Sequence, residues 1–227
     1  MAERVLTDDD RETGSELAGA EPDAGPPAAE RRRAECPRGL GGWVTALLTR
    51  RLNAGQNRLT VQALRVRPGE AVLEVGCGPG DALARVAQDT PAGFIAGVDH
   101  SGLMLRMAGR RNRTAITTGR LALRQADAAA LPLPDGRFDA AFAVNSHHRW
   151  DDRAAGLREI RRALKPGGRL VLSIRILYED RRWETAAQGR ERAEAALVDL
   201  PRAGFRDLDA MEYQLDKRSV VLISGIA

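Results

Sequence analysis

Glu74 stands two positions before the first of three alternating glycines, in the run Glu74-Val75-Gly76-Cys77-Gly78-Pro79-Gly80. Glycines let a backbone turn sharply and let a ligand approach with no side chain in the way. The spacing differs from G-x-G-x-x-G, which sets a helix N-terminus against a pyrophosphate. A carboxylate beside the turn suits phosphates poorly. It suits a ligand with cationic groups, such as an ammonium and a sulfonium. Asp99 follows the next apolar run, where a carboxylate can accept hydrogen bonds from both hydroxyls of a ribose. Asp127-Ala128 follow the third run, where a carboxylate can accept from an adenine exocyclic amine. One strand-end acid is ordinary surface, whereas three in register with successive runs, the first on a glycine turn, are not.

Those acids need a sheet to bring them together. Short apolar runs at 71–75, 94–98, 121–125, 138–144 and 170–176 alternate with helical stretches at 81–88, 101–112, 153–164 and 186–200. Strands alternating with helices predict a doubly wound α/β sheet, mostly parallel. Two last strands, near 208–214 and 219–224, have no helix between them, which predicts an antiparallel C-terminal hairpin and a seven-stranded, Rossmann-like sheet. Pro166-Gly167-Gly168 should stop the helix before the fifth strand, and Pro201 should end the last helix early. Met104 and Met107 fall at helical spacing and read as core. Residues 1–37 lack a hydrophobic period and are rich in Ala, Glu, Asp, Pro and Gly, which predicts a disordered arm. The domain itself should span 38–227, with amphipathic helices over 38–66 placed to lid the site.

Composition narrows the classes further. The 227 residues carry a formal charge of +4, and the basic residues are scattered among acidic ones, so a solvated surface is expected and nucleic acid is not the expected partner. Aromatics make up 4% of the chain, which leaves the core to Ala, Val, Leu and Ile. Cys36 and Cys77 give neither a disulfide framework nor a metal-ligand spacing. No apolar run approaches the ~20 residues needed to span a bilayer. A cytoplasmic protein is therefore expected.

The run Val72 to Gly80 resembles the first motif of class I S-adenosylmethionine-dependent methyltransferases. Val98-Asp99-His100-Ser101 with Met104-Leu105 resembles their second. Asp127-Ala128, Leu131 to Gly136 and Phe138-Asp139 resemble the adenine-side segment, and Leu164 to Gly168 the turn before their fifth strand. The likeness covers about 38–227 and is nearest to the small-molecule branch with quinone-type (methyltransferase-11-like) enzymes. It implies S-adenosyl-L-methionine as cofactor and S-adenosyl-L-homocysteine as product. Gly76, Gly78 and the backbone of Cys77 would border the methionine part, with Glu74 orienting that end. Asp99 would hold the ribose, His100 would flank the adenine, Asp127 would meet its amine and Ala128 would supply a backbone contact. Asn145 would lie near the amino group and methyl, or else make a strand-end hydrogen bond.

Methyl transfer from a sulfonium is an in-line displacement, and a base is needed only if the acceptor arrives protonated. His147 and His148 follow the fourth strand on the side where a small-molecule acceptor, such as a specialised metabolite, should enter. They are the candidate bases, with His148 ahead, the alternative being that one of them packs or hydrogen-bonds at the start of the next helix. Trp150 should form a wall of the acceptor pocket or pack under the loop after the fourth strand, and Tyr178 and Trp183 are candidate walls, with ordinary packing as the alternative. No large domain is inserted between the fifth and sixth strands, so a cap must come from the N-terminal helices, a short loop or a second subunit in a homodimer. Two other readings stay open. One is an RNA or protein methyltransferase, kept alive by Arg31-Arg32-Arg33; the other is a non-catalytic S-adenosylmethionine-binding protein.

Overall fold

The computed structural model describes residues 2–4, 53–90, 92–177, 185–215 and 218–227. Eight strands form one sheet: β1 (Ala2–Arg4), β2 (Ala71–Val75), β3 (Phe94–Asp99), β4 (Leu121–Gln125), β5 (Phe138–Val144), β6 (Leu164–Leu177), β7 (Arg206–Leu215) and β8 (Arg218–Ile226). Their order is β1-β7-β8-β6-β5-β2-β3-β4. Pairings from β4 across to β6 are parallel, whereas β8 runs antiparallel to both β6 and β7. The seven-stranded, mostly parallel sheet with its C-terminal hairpin is thus the architecture expected. The short β1 adds an antiparallel edge to β7. It comes from the arm expected to be disordered, and the rest of that arm lies outside the described residues.

The helices are α1 (53–64), α2 (Asp81–Asp89), α3 (Gly102–Arg111), α4 (Arg113–Thr117), α5 (Arg153–Ala163) and α6 (Ala186–Arg202). A buried parallel strand must be apolar on both faces, and every residue of β2 is buried, including Glu74. One apolar layer joins Leu73, Val75 and Leu172 to Leu157, Ile160 and Leu200 of α5 and α6. The other joins Val72, Phe142 and Val171 to Val61, Leu64, Leu83 and Val86 of α1 and α2. Met104 and Met107 are buried together, as a core role requires.

Three details differ from expectation. α6 continues through Pro201, because Ala203 N–H still finds the Asp199 and Leu200 carbonyls and the proline removes only one donor near the helix end. β6 starts at Leu164, directly after α5. Phe138 pairs with Leu164 and Ala140 with Arg169, so Lys165 to Gly168 form a bulge opposite Asp139, with Gly167 at φ 76°. The short α4 follows α3 at Asn112, which caps the end of one helix and the start of the other.

β2 lies between β3 and β5, so the chain order reverses there. The ligand crevice of such a sheet opens beyond the carboxyl ends of the strands at that switch point. The turn after β2 and the segment Asn145 to Arg149 after β5 flank it. α1 is held over this half of the sheet partly by Arg169. Its guanidinium donates to the carbonyls of Leu64 and Arg65 at the helix C-terminus and pairs with Glu70.

Candidate functional site

The glycine turn is pinned from three sides. Gly76 and Cys77 donate their backbone N–H groups to Val98 O at 2.8 and 3.0 Å. Gly76 has φ +77°, and a Cβ there would stand 2.4 Å from Ser146 Cβ, so only glycine fits. Asn112 Nδ2 donates to Gly80 O at 3.1 Å, Arg111 Nε donates to Pro79 O at 3.2 Å, and Arg111 pairs with Asp81 at 2.9 Å. A Cβ on Gly78, by contrast, would meet nothing within 4 Å. The turn is rigid beneath and open above, as a ligand cradle requires.

Asp99, 7% exposed, accepts from Gly78 N–H at 2.7 Å through Oδ2 and from Ser101 N–H at 2.8 Å through Oδ1. One bond to each oxygen leaves lone pairs for further donors. His100 is exposed beside it, with Nδ1 3.7 Å from Asp99 Oδ1. At the end of β4, Asp127 is exposed and its Oδ1 accepts from Ala129 N–H at 2.8 Å, while Ala128 is buried. Ala126 N–H donates to Asp99 O at 3.2 Å and ties this loop to β3.

Glu74 is 2% exposed, and its Oε2 has no hydrogen-bond partner among the described residues. Burial, then the charges of Asp99 and Asp81, push its carboxyl well above the usual range, while the Leu83 N–H pulls the other way. A cationic group nearby would counter the acidic charges and stabilise the ionised form. The residues present therefore fit an ammonium- and sulfonium-bearing cofactor. Burial, then Glu74 and Asp99, also push the Cys77 thiol up, so it stays protonated and is not a nucleophile.

The other side of the crevice is built differently. Asn145, at φ 50°, makes three strand-end hydrogen bonds through its side chain, which leave one Nδ2 hydrogen for a further acceptor. Its Oδ1 accepts from Gln56 Nε2 at 3.1 Å and from Arg175 N–H at 2.9 Å, and its Nδ2 donates to Gln56 Oε1 at 2.9 Å. Trp150, expected as a pocket wall, is 8% exposed and packs inward, because Gly156 leaves room for its ring and His147 meets it edge-on at 5.2 Å. His147 is 3% exposed, and its Nε2 stops 3.9 Å from Asp199, which is engaged by Arg153 at 3.0 Å. Burial, then Arg153, lowers its pKa to about 4. His147 is thus enclosed among α5, α6 and Trp150, the packing alternative expected for one of the two histidines. His148 is half-buried, with Nδ1 unpartnered among the described residues. Burial, then Arg192, Arg149, His147 and Arg175, lowers its pKa to about 2. Tyr178 and Trp183 lie outside the described residues, as do residues 38–52 of the stretch expected to form lid helices.

Sequence reasoning missed Gln56, Ser146, Arg111 and Asn112. Gln56 is fully buried on α1. It shares the buried face of α1 with Asn57 and Thr60 as well as Val61 and Leu64, so no local pattern singled it out, and its partner lies 89 positions away.

The residues 72–168 match the family model described as "Methyltransferase domain". An uncharacterised methyltransferase, YdaC of Bacillus subtilis, is 30% identical over 171 residues, covering 75% of this chain and 88% of that protein. The 27-O-demethylrifamycin SV methyltransferase of Amycolatopsis mediterranei is 36% identical over 114 residues, covering 50% of this chain and 42% of that enzyme. The chain therefore spans less than half the length of that second relative. The crystal structure of a SAM-dependent methyltransferase from Aquifex aeolicus superposes with a TM-score of 0.60 at 19% identity, covering 75% of this chain and 89% of that one, and so shares the fold. No described helix is long and apolar enough to cross a membrane. With the glycine turn, the strand-end acids and these likenesses in place, the chain belongs to the class I S-adenosylmethionine-dependent methyltransferases.

Proposed function

We propose that this enzyme methylates a small-molecule acceptor that enters beside the carboxyl ends of β5 and β6, and that it does so without a histidine general base. The observation that carries the reading is the difference between the two sides of the crevice. One side is an acidic, rigid cradle open above Gly78; the other holds an imidazole kept neutral by burial and arginines. Bound on the cradle, S-adenosylmethionine supplies an electrophilic methyl group on a sulfonium. Gly76, Cys77 and Gly78 would offer backbone to its amino-acid end, Glu74 would balance its positive charge, and Asp99 would accept from the ribose hydroxyls. His100, Asp127 and Ala128 would border the adenine.

The protein's share of catalysis is then alignment and exclusion of water, which can lower a barrier by ~7–11 kcal/mol in favourable cases. A base whose conjugate acid has a pKa of about 2 takes a proton poorly from a phenol or an ammonium at neutral pH. The acceptor is accordingly one that reacts as an anion or a neutral nucleophile. Support for a small acceptor comes from the likeness to the 27-O-demethylrifamycin SV methyltransferase, which is named for a small-molecule acceptor. The scattered arginines of the chain also form no long basic tract.

The test is incubation with methyl-labelled S-adenosylmethionine and three acceptor pools: a panel of phenols, carboxylic acids, quinols and amines; total RNA; and denatured protein. Label is expected in the small-molecule pool. Label confined to RNA or to protein would favour the macromolecular reading. Cofactor binding with no label in any pool would favour a non-catalytic binder.

A further inference from the structure

The carboxamide of Gln56 joins three elements at the edge of the crevice. Its Nε2 donates to Asn145 Oδ1 at 3.1 Å and to Ser173 Oγ at 2.9 Å, while its Oε1 accepts from Asn145 Nδ2 at 2.9 Å. Gln56 is 0% exposed and Ser173 1%. Asn145 is thereby held in the left-handed region at φ 50°, a conformation asparagine tolerates when its side chain is hydrogen-bonded. Its backbone N–H also donates to Ser173 O at 2.9 Å. The next residue carries the contact onward. Ser146 Oγ donates to Val75 O at 2.8 Å, and Ser146 Cβ fills the space a side chain on Gly76 would need. An unbroken chain of contacts runs from α1 through Asn145 and Ser146 to the floor of the glycine turn.

We propose that Gln56 is a positioning residue that couples the seating of α1 to cofactor binding. It acts through Asn145 and Ser146 on the backbone at Val75 and Gly76. The coupling is reciprocal, because a binding equilibrium and a packing equilibrium that share contacts must each shift the other. Binding of the cofactor tightens α1 on the sheet, and loosening α1 weakens binding. Gln56 touches no reacting atom in this account, and the coupling rests on the cofactor, not on the identity of the acceptor.

Two measurements on the full chain test it, both with S-adenosylhomocysteine as the probe. In the first, amide hydrogen exchange of 53–64 is followed in the wild-type protein with and without the probe. Slower exchange across this helix on binding is expected, and exchange unchanged at saturation overturns the coupling. The second is calorimetric affinity of Gln56→Leu and Ser173→Ala, each checked for a cooperative thermal transition. Gln56→Leu strips Asn145 of two hydrogen bonds and Ser173 of one, and should weaken binding by about tenfold or more, the scale of a buried amide left without its partner. Ser173→Ala removes one of Gln56's acceptors and should weaken it by about twofold to threefold. A folded Gln56→Leu that binds as tightly as wild type, with exchange of 53–64 still slowed by the probe, would reduce Gln56 to a packing residue. If Gln56→Leu does not fold, Ser173→Ala and the wild-type exchange decide. A wild-type protein that binds no S-adenosylhomocysteine would overturn the cofactor assignment and is read out separately.

Discussion

The ends of β2, β3 and β4 and the ends of β5 and β6 face the same crevice but solve opposite problems. The first group presents Glu74, Asp81, Asp99 and Asp127, with glycines at φ +77°, +52° and +76° that bring backbone up to the crevice. The second presents Arg149, Arg175 and Arg192 around one neutral imidazole, with the amides of Gln56 and Asn145 hydrogen-bonded to each other. On the proposed reading, the acidic half receives the cationic donor on backbone and carboxylates, and the basic half faces the acceptor.

The comparison breaks most sharply at Gly76. Gly76→Ala forces a side chain into Ser146 at a positive φ, so S-adenosylhomocysteine affinity should fall by about a hundredfold or more, with loss of folding as the extreme outcome. Gly78→Ala, at a position with open space, carries only the backbone penalty and should keep a cooperative thermal transition. A folded Gly76→Ala that binds S-adenosylhomocysteine as tightly as the wild type would mean that contact with Ser146 is not what shapes the cradle.

A second prediction concerns the basic half and the pH dependence of turnover. With His148 pushed down to about 2, kcat/KM for the best acceptor should show no histidine step near pH 6.5. His148→Ala should lower kcat by less than about tenfold, well below the ~10²–10⁴ of general-base catalysis. A step near pH 6.5 that His148→Ala abolishes would restore the base.

The third and smallest effect is on stability. The folded-state pKa of His147, about 4, lies below its ordinary 6.5, so the unfolded chain binds the proton first as pH falls. Its contribution is complete above about pH 6.5 and is lost as pH drops toward 4. Glu74 works in the opposite sense: its raised carboxyl favours the folded state at low pH, and that advantage is lost as pH rises through its folded value. Thermal scans should show the wild-type midpoint falling between pH 7 and pH 5, and His147→Phe should flatten that limb by about 5 °C. An unchanged slope in His147→Phe would show that this imidazole does not titrate with unfolding.

The donor half was legible in the sequence because its function is written in local pattern. A glycine run after an apolar run fixes a strand, a turn and a helix at once, and Asp99 recurs at the next strand end. All of these fell within one residue or so of their observed positions. The acceptor half was not legible in the same way. His147 and His148 are adjacent in sequence, yet one is turned into the packing of Trp150 and Asp199 and the other toward arginines from three elements. That choice is made by α6, some 40 positions on. Gln56 and Asn145 find each other across 89 positions, and no local period encodes such a pair. Pro201 misled because a proline in a final turn removes a single donor, which the carbonyls around Ala203 tolerate.

Calorimetric titration of S-adenosylhomocysteine into the wild-type protein and Asp99→Ala, side by side, tests the central claim most directly. Asp99 is the side chain that both supports the turn, through Gly78 N–H, and has lone pairs to spare for the ribose. A loss of about a hundredfold or more is predicted for a folded variant, since charged hydrogen bonds to the ligand and the turn's own support go together. Near-native affinity in Asp99→Ala would contradict the placement of the donor on this turn.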